Sequence, residues 1–142
     1  MAEVEVYFVW ARGTESGVVV RRRAVPDREP SGLLESAMLE LLKGPDEEER
    51  RLGLFSEIPE GTRLLAAEIK GQFAHVDVTR EFESGGGSFS MRARVYQVVF
   101  TGTQFGEARL VTLYLDGQLR YYLGGEGLII GEPLGRPNSP DL

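Results

Sequence analysis

His75 and Asp77 are the residues of this chain best suited to chemistry. They stand two apart in the run FAHVDV, whose alternation reads as a strand, so both side chains leave one face. A histidine beside a carboxylate can work as an acid–base pair. Spacing places no second histidine and no nucleophile beside them. The plainer reading is therefore a solvent-facing polar pair on an open sheet face, with Asp77 or Thr79 bonding the following turn. Arg21-Arg22-Arg23 is the second candidate. Strand alternation puts Arg21 and Arg23 on the face of Val19 and Arg22 on the other. Such a pair suits an anionic ligand or a partner's acidic surface, although a charge run at a strand end is by default solvated. Arg21, Arg23, His75 and Asp77 together make the candidate binding surface. No catalytic, cofactor-binding or metal-binding residue is assigned, and no cofactor is expected.

Two further stretches invite chemistry and have simpler explanations. Asp46-Glu47-Glu48-Glu49 could hold a cation, but calcium loops space their oxygens around a glycine turn. An acidic run straight after Gly44-Pro45 is better read as a helix N-terminus. Asp46 is its cap, and Glu49 three residues on completes a capping box. Gly85-Gly86-Gly87-Ser88 precedes a helix, yet it lacks the Lys-Ser/Thr ending and the βαβ setting of a phosphate loop. It reads as a flexible lead-in.

The elements that must position these residues follow from periodicity and turn chemistry. Val4, Val6, Phe8 and Trp10 alternate in a first strand, and residues 17–25 form its hairpin partner. Ser31 is the expected cap of a helix with Leu34, Ala37, Met38, Leu41 and Leu42 on one stripe, stopped at Gly44-Pro45. Pro59-Glu60-Gly61 turns the chain into a second hairpin over 62–70 and 72–79. A second long helix is expected over 88–105, with Met91, Val95, Val98, Val99 and Gly102 on its stripe; Gly102 implies close backbone packing. Asp116-Gly117 is the strongest hairpin signal and joins 108–115 to 118–123. The order β-β-α-β-β-α-β-β predicts an α+β fold: a two-layer sandwich, a largely antiparallel sheet with two main helices on one face. Residues 1–125 read as one domain and 126–142, rich in proline and glycine, as a poorly ordered C-terminal tail.

Composition narrows the function classes. At 142 residues, with no cysteine, the chain is long enough for one core without disulfide or thiolate metal staples. Its net charge of −6 argues against nucleic acid and anionic membrane as main partners. No apolar run is long enough to span a bilayer. Met1-Ala2-Glu3 has no basic, apolar leader, so the chain is read as cytosolic or as a domain separated from its targeting segment.

The order and spacing of several segments carry a family resemblance. They are VYFVW, the helix end LLKGP, GLFSEIPEGTRLLAAEI, FAHVDVTREF, RVYQVVFTGTQF and ARLVTLYLDG, within a stretch from roughly Val4 to Leu123. The chain resembles the GerMN domain of the sporulation and spore germination family. That resemblance implies a small α/β module on the outer side of the bacterial membrane, often behind a lipoprotein signal or membrane helix, and similar to ring-building modules. It brings no catalytic residues. Gly44, Pro45, Pro59, Gly61, Asp77, Asp116 and Gly117 match motif positions, each with a structural explanation. The missing anchor departs from the usual member and leaves localisation open. The expected function is a non-catalytic interaction or assembly module of the cell envelope, binding a protein partner or itself, not an enzyme. The alternative is a small-ligand-binding protein or hydrolase-type enzyme using the polar face around His75 and Asp77.

Overall fold

A computed structural model describes residues 1–124, 128–130 and 132–142. β1 (Ala2–Arg12) and β2 (Glu15–Val25) form a hairpin paired along its whole length, with Ala2 opposite Val25 and Arg12 opposite Glu15. α1 (Pro30–Lys43) and the short α2 (Glu47–Arg51) follow. Next come β3 (Leu64–Lys70), β4 (Phe73–Val78), a 3-10 turn at Arg80–Glu83 and α3 (Ser88–Gly102). The chain closes with β5 (Leu110–Leu115), β6 (Gln118–Leu119), β7 (Tyr122–Leu123), β8 (Leu128–Ile129) and β9 (Leu134–Gly135).

The fold is α+β, but its strands divide among separate sheets. The first hairpin stands alone, β3-β4-β5-β6 form the main sheet with β9 also on β5, and β7 pairs with β8. The main sheet is mixed, because β4 and β5 run parallel. The reason is the helix between them: α3 carries the chain back to the end where β4 began, so the next strand lies parallel to it. The strands joined by tight turns are antiparallel, as the turn chemistry demands. Asp116 (φ 50°) and Gly117 (φ 79°) both take positive φ in the two-residue turn after β5, a conformation that favours an Asp-Gly pair.

One face of the main sheet feeds the core. Ala74, Val76 and Val78 of β4 and Val111, Leu113 and Leu115 of β5 are buried with Leu34, Ala37, Met38 and Leu41 of α1 and Met91, Val95, Val98 and Val99 of α3. Val4, Val6 and Phe8 of β1 join this cluster, while Tyr7 and Val9 pack from the other side of the strand against Ala93 and Phe100 of α3. β1 is thus buried on both faces. A Cβ on Gly102 would lie 3.0 Å from Val111 Cγ2 and 3.3 Å from Met38 Cε, which is why glycine stands where helix and sheet meet. Burying each large apolar side chain contributes about 1.5–3 kcal/mol.

Local details differ from the sequence expectations in instructive ways. Glu29, not Ser31, caps α1 and accepts from Gly32 N at 2.9 Å. The Ser31 hydroxyl instead accepts from Ile69 N at 2.9 Å and ties the helix start to the outer strand of the main sheet. α3 ends at Gly102, where Thr103 Oγ1 donates to Val99 O at 2.8 Å. The glycine run 85–87 is held in place. Arg94, almost wholly buried, donates to the carbonyls of Phe82, Ser84 and Gly85 at 2.9–3.0 Å. Burial lowers the Arg94 pKa from its ordinary value. A phosphate loop offers N–H groups; this loop turns carbonyls toward a cation.

The expectation of a poorly ordered tail is corrected for 134–142. β9 pairs with β5, Arg136 donates to Thr103 Oγ1 at 2.8 Å and Phe100 O at 3.0 Å, and Pro140–Leu142 bond to β2. The expected boundary at 125/126 falls outside the described residues. Among the described residues, no helix is long and apolar enough to cross a membrane.

Candidate functional site

The expected surface residues occupy two separate places. β4 presents Phe73, His75 and Asp77 on the face of the main sheet turned away from the core. Tyr114 of β5 lies on the same face, directly opposite Asp77 in the parallel register. The Tyr114 hydroxyl is 3.0 Å from His75 Nδ1, and the two rings lie 5.9 Å apart. Phe73 extends the row, 6.3 Å from the His75 ring. Asp77 Oδ1 accepts from Gly117 N at 3.0 Å and thereby fastens the Asp116-Gly117 turn. A hollow of about 270 Å³ lies here, with Ala66, Glu68 and Lys70 of β3 on its far wall.

This geometry separates the two chemical candidates. Residues two apart on a strand have Cα atoms about 6.6 Å from each other. Among the described residues, His75 bonds to Tyr114 and Asp77 to Gly117, with no bond between them. An acid–base pair requires hydrogen-bond reach. The turn bonded by Asp77 is the one after β5, across the sheet, and not the one following β4.

Arg21 and Arg23 do share one face of β2, and that face looks at α2. Glu49, 1% exposed, is their common partner. Arg23 grips it with both guanidinium nitrogens, Nη1 to Oε2 at 2.8 Å and Nη2 to Oε1 at 2.6 Å. Arg21 Nε adds a bond to Oε2 at 2.9 Å, and Asp46 N donates to Oε1 at 2.9 Å. The capping box foreseen between Asp46 and Glu49 is present. The Arg23 hydrogen bonds hold the Glu49 carboxyl down at about 2, against the pull of burial, with help from Asp46 N and Arg21. Hydrogen bonding to Glu49 raises Arg23 in turn. The acidic run therefore sends its one buried carboxylate to arginine.

Several residues that organise these surfaces carried little sequence signal. Gln97, wholly buried in α3, accepts from Glu57 N at 2.9 Å and donates to Tyr7 O at 3.0 Å and Ser56 Oγ at 3.1 Å. Gln104 accepts from Glu5 N at 2.8 Å and donates to Glu5 O at 2.6 Å, as a neighbouring strand would. A glutamine inside a run of valines was the available clue. Arg120 pairs with Glu83 through both nitrogens, which lowers the Glu83 pKa. The motif residues sit at chain reversals. Gly44 N donates to Leu41 O at 3.0 Å to close α1 before Pro45, and the Pro59–Gly61 turn is closed by Thr62 N and Oγ1 on Pro59 O at 3.2 and 2.8 Å. A wider, largely apolar groove of about 620 Å³ runs between the end of β2 and α1, walled by Val25, Pro26, Leu39, Leu42 and Leu64.

Comparison with known proteins gives one family and a consistent fold. The family model described as sporulation and spore germination matches residues 5–120. The structure of the first GerMN domain of the sporulation protein GerM from Bacillus subtilis is 26% identical; the match covers 96% of this chain and 98% of that one, with a TM-score of 0.74. The tandem GerMN domains of the same protein match at 20% identity and TM-score 0.73 over 95% of this chain, which spans only 45% of the tandem structure. A structure described as "Putative Lipoprotein from Clostridium perfringens" is 21% identical, with TM-score 0.67 over 94% of this chain and 87% of that one. No curated protein matches the chain in sequence.

Proposed function

Because the chain belongs to the sporulation and spore germination family, we propose that it is a non-catalytic interaction or assembly module of the bacterial cell envelope. The observation that carries this reading is the way the polar sheet face is bonded. His75 is engaged by Tyr114 and Asp77 by a turn amide, so the face is stiff and polar without a reacting pair. The relatives support the same reading. GerM carries such domains in tandem, the arrangement of a module that builds larger structures. The description of the Clostridium perfringens relative favours the outer side of the membrane. The partner would be a protein surface or strand.

The hollow beside His75 favours a second reading, a small-ligand-binding protein or hydrolase. Two measurements separate them. Photo-crosslinking in the source cells is expected to give a discrete adduct with an envelope protein; adducts only with cytosolic proteins would count against the proposal. A panel of ester, amide and glycoside substrates is expected to show no turnover that depends on His75. Turnover lost in His75→Ala but retained in Thr112→Ala would establish the second reading instead.

A further inference from the structure

The first hairpin has two outer edges, and the fold treats them differently. On β1 the backbone groups of Glu3, Glu5, Tyr7, Val9 and Ala11 face away from β2. Gln104 takes both groups of Glu5, Gln97 donates to Tyr7 O, and Phe55 pairs with Val9 through bonds of 2.7 and 3.0 Å. The middle of this edge, from Glu5 to Val9, is closed in this way and has little left to offer another strand; among the described residues only the Tyr7 N–H and the end residues Glu3 and Ala11 are unbonded. On β2 the register turns Ser16, Val18, Val20, Arg22 and Ala24 outward. Leu142 N donates to Ser16 O and Val18 N to Pro140 O, both at 2.9 Å. Among the described residues, the cover stops beyond Val18. Arg22 O receives Arg23 Nη1 at 3.2 Å. Among the described residues, both backbone groups of Val20, both of Ala24 and the N–H of Arg22 have no hydrogen-bond partner. The apolar groove of about 620 Å³ opens at the Ala24–Pro26 end of this edge.

We infer that the outer edge of β2 from Val20 to Ala24 is a strand-addition site for an extended, acidic peptide segment of another protein. The inference rests on the interaction reading above and names its partner class. Unpaired main-chain groups on alternate residues call for a strand. The edge already accepts one, since Pro140–Leu142 pair antiparallel with its first part. Arg22, 57% exposed along its side chain, holds Glu3 and Glu5 only at 3.4 and 3.8 Å, so a carboxylate opposite it gains a partner. The groove takes an apolar side chain beside Leu39 and Leu64. A second copy fits poorly. Antiparallel pairing of two such edges about Arg22 sets Arg22 against Arg22, and like charges directly opposite are destabilising.

Amide hydrogen exchange on the whole chain tests this, with two synthetic probes: a capped peptide alternating valine and glutamate, and its valine–lysine counterpart. In the protein alone, the amides of Val20, Arg22 and Ala24 are expected to exchange fast while those of Glu5 and Val18 are protected. The glutamate peptide is expected to slow the three edge amides by roughly tenfold or more, and the lysine peptide to leave them fast. Arg22→Pro removes an outward N–H and no hairpin bond, and is expected to abolish the effect. Arg22→Glu, which keeps every backbone group, is expected to shift the preference to the lysine peptide. Protection of the three amides without peptide, equal slowing by both peptides, or no slowing would each overturn the site. An envelope adduct that survives Arg22→Pro unchanged would also overturn it and leave the interaction reading standing.

Discussion

The Glu49 cluster and the His75 face are built from similar parts and end in opposite states. Each places ionisable side chains at alternate positions of a hairpin strand. Arg21 and Arg23 meet α2, which buries Glu49 against them. Among the described residues, His75 and Asp77 bond only to neighbours on their own sheet. Charge on a strand thus becomes structural or available according to what packs above it. Two guanidiniums that share one buried carboxylate lose their closest partner together if it is removed, whereas a polar group on an open face can rehydrate.

The contrast can be broken most directly at Glu49. Glu49→Ala leaves Arg21 without its carboxylate partner and Arg23 with only the more distant Glu40, at 3.9 Å. It is expected to cost about 3–5 kcal/mol, read from urea midpoints at constant m. The acid limb of stability gives the next effect. The Glu49 carboxyl is held at about 2 when folded, against an ordinary value of 4.5. The unfolded chain therefore binds this proton first as pH falls. The contribution is whole above about 4.5 and is lost as pH drops toward about 2. Glu49→Gln is expected to flatten the stability–pH curve over that window; an unchanged curve would mean that another carboxylate governs it.

On the open face the effects should be smaller. Asp77→Ala removes the acceptor that fastens the Asp116-Gly117 turn and is expected to cost about 0.5–1.5 kcal/mol. His75→Ala gives up a half-exposed bond to Tyr114, and its expected cost is about 0.5 kcal/mol or less. If His75→Ala proved as damaging as Glu49→Ala, the division between a structural and an available cluster would collapse.

Much of this division was legible in part. Alternation placed Arg21 with Arg23 and His75 with Asp77, and both placements hold because side-chain direction in a strand is local. The capping box at Asp46 and Glu49 was also local. The second role of Glu49 was not, because its arginine partners lie 26 and 28 positions earlier. The same limit applies to Ser31, a good cap by type that bonds Ile69 instead. It applies again to the tail, whose proline and glycine content says nothing of the partners that Arg136 and Leu142 find on α3 and β2.

By itself, the sequence determined the α+β class, the stripes that face the core, the stop at Gly44-Pro45, the turn at Asp116-Gly117 and the family. Each rests on contacts between near neighbours or on the order of such segments. Tertiary structure alone decided that β4 and β5 run parallel, that Glu49 turns inward, and that Gln97, Gln104 and Phe55 close the middle of one hairpin edge while, among the described residues, the other stays open beyond Val18. Those outcomes depend on which distant element covers a given face. Burial, which sets the cost of every unpaired polar group, exists only once the layers have met.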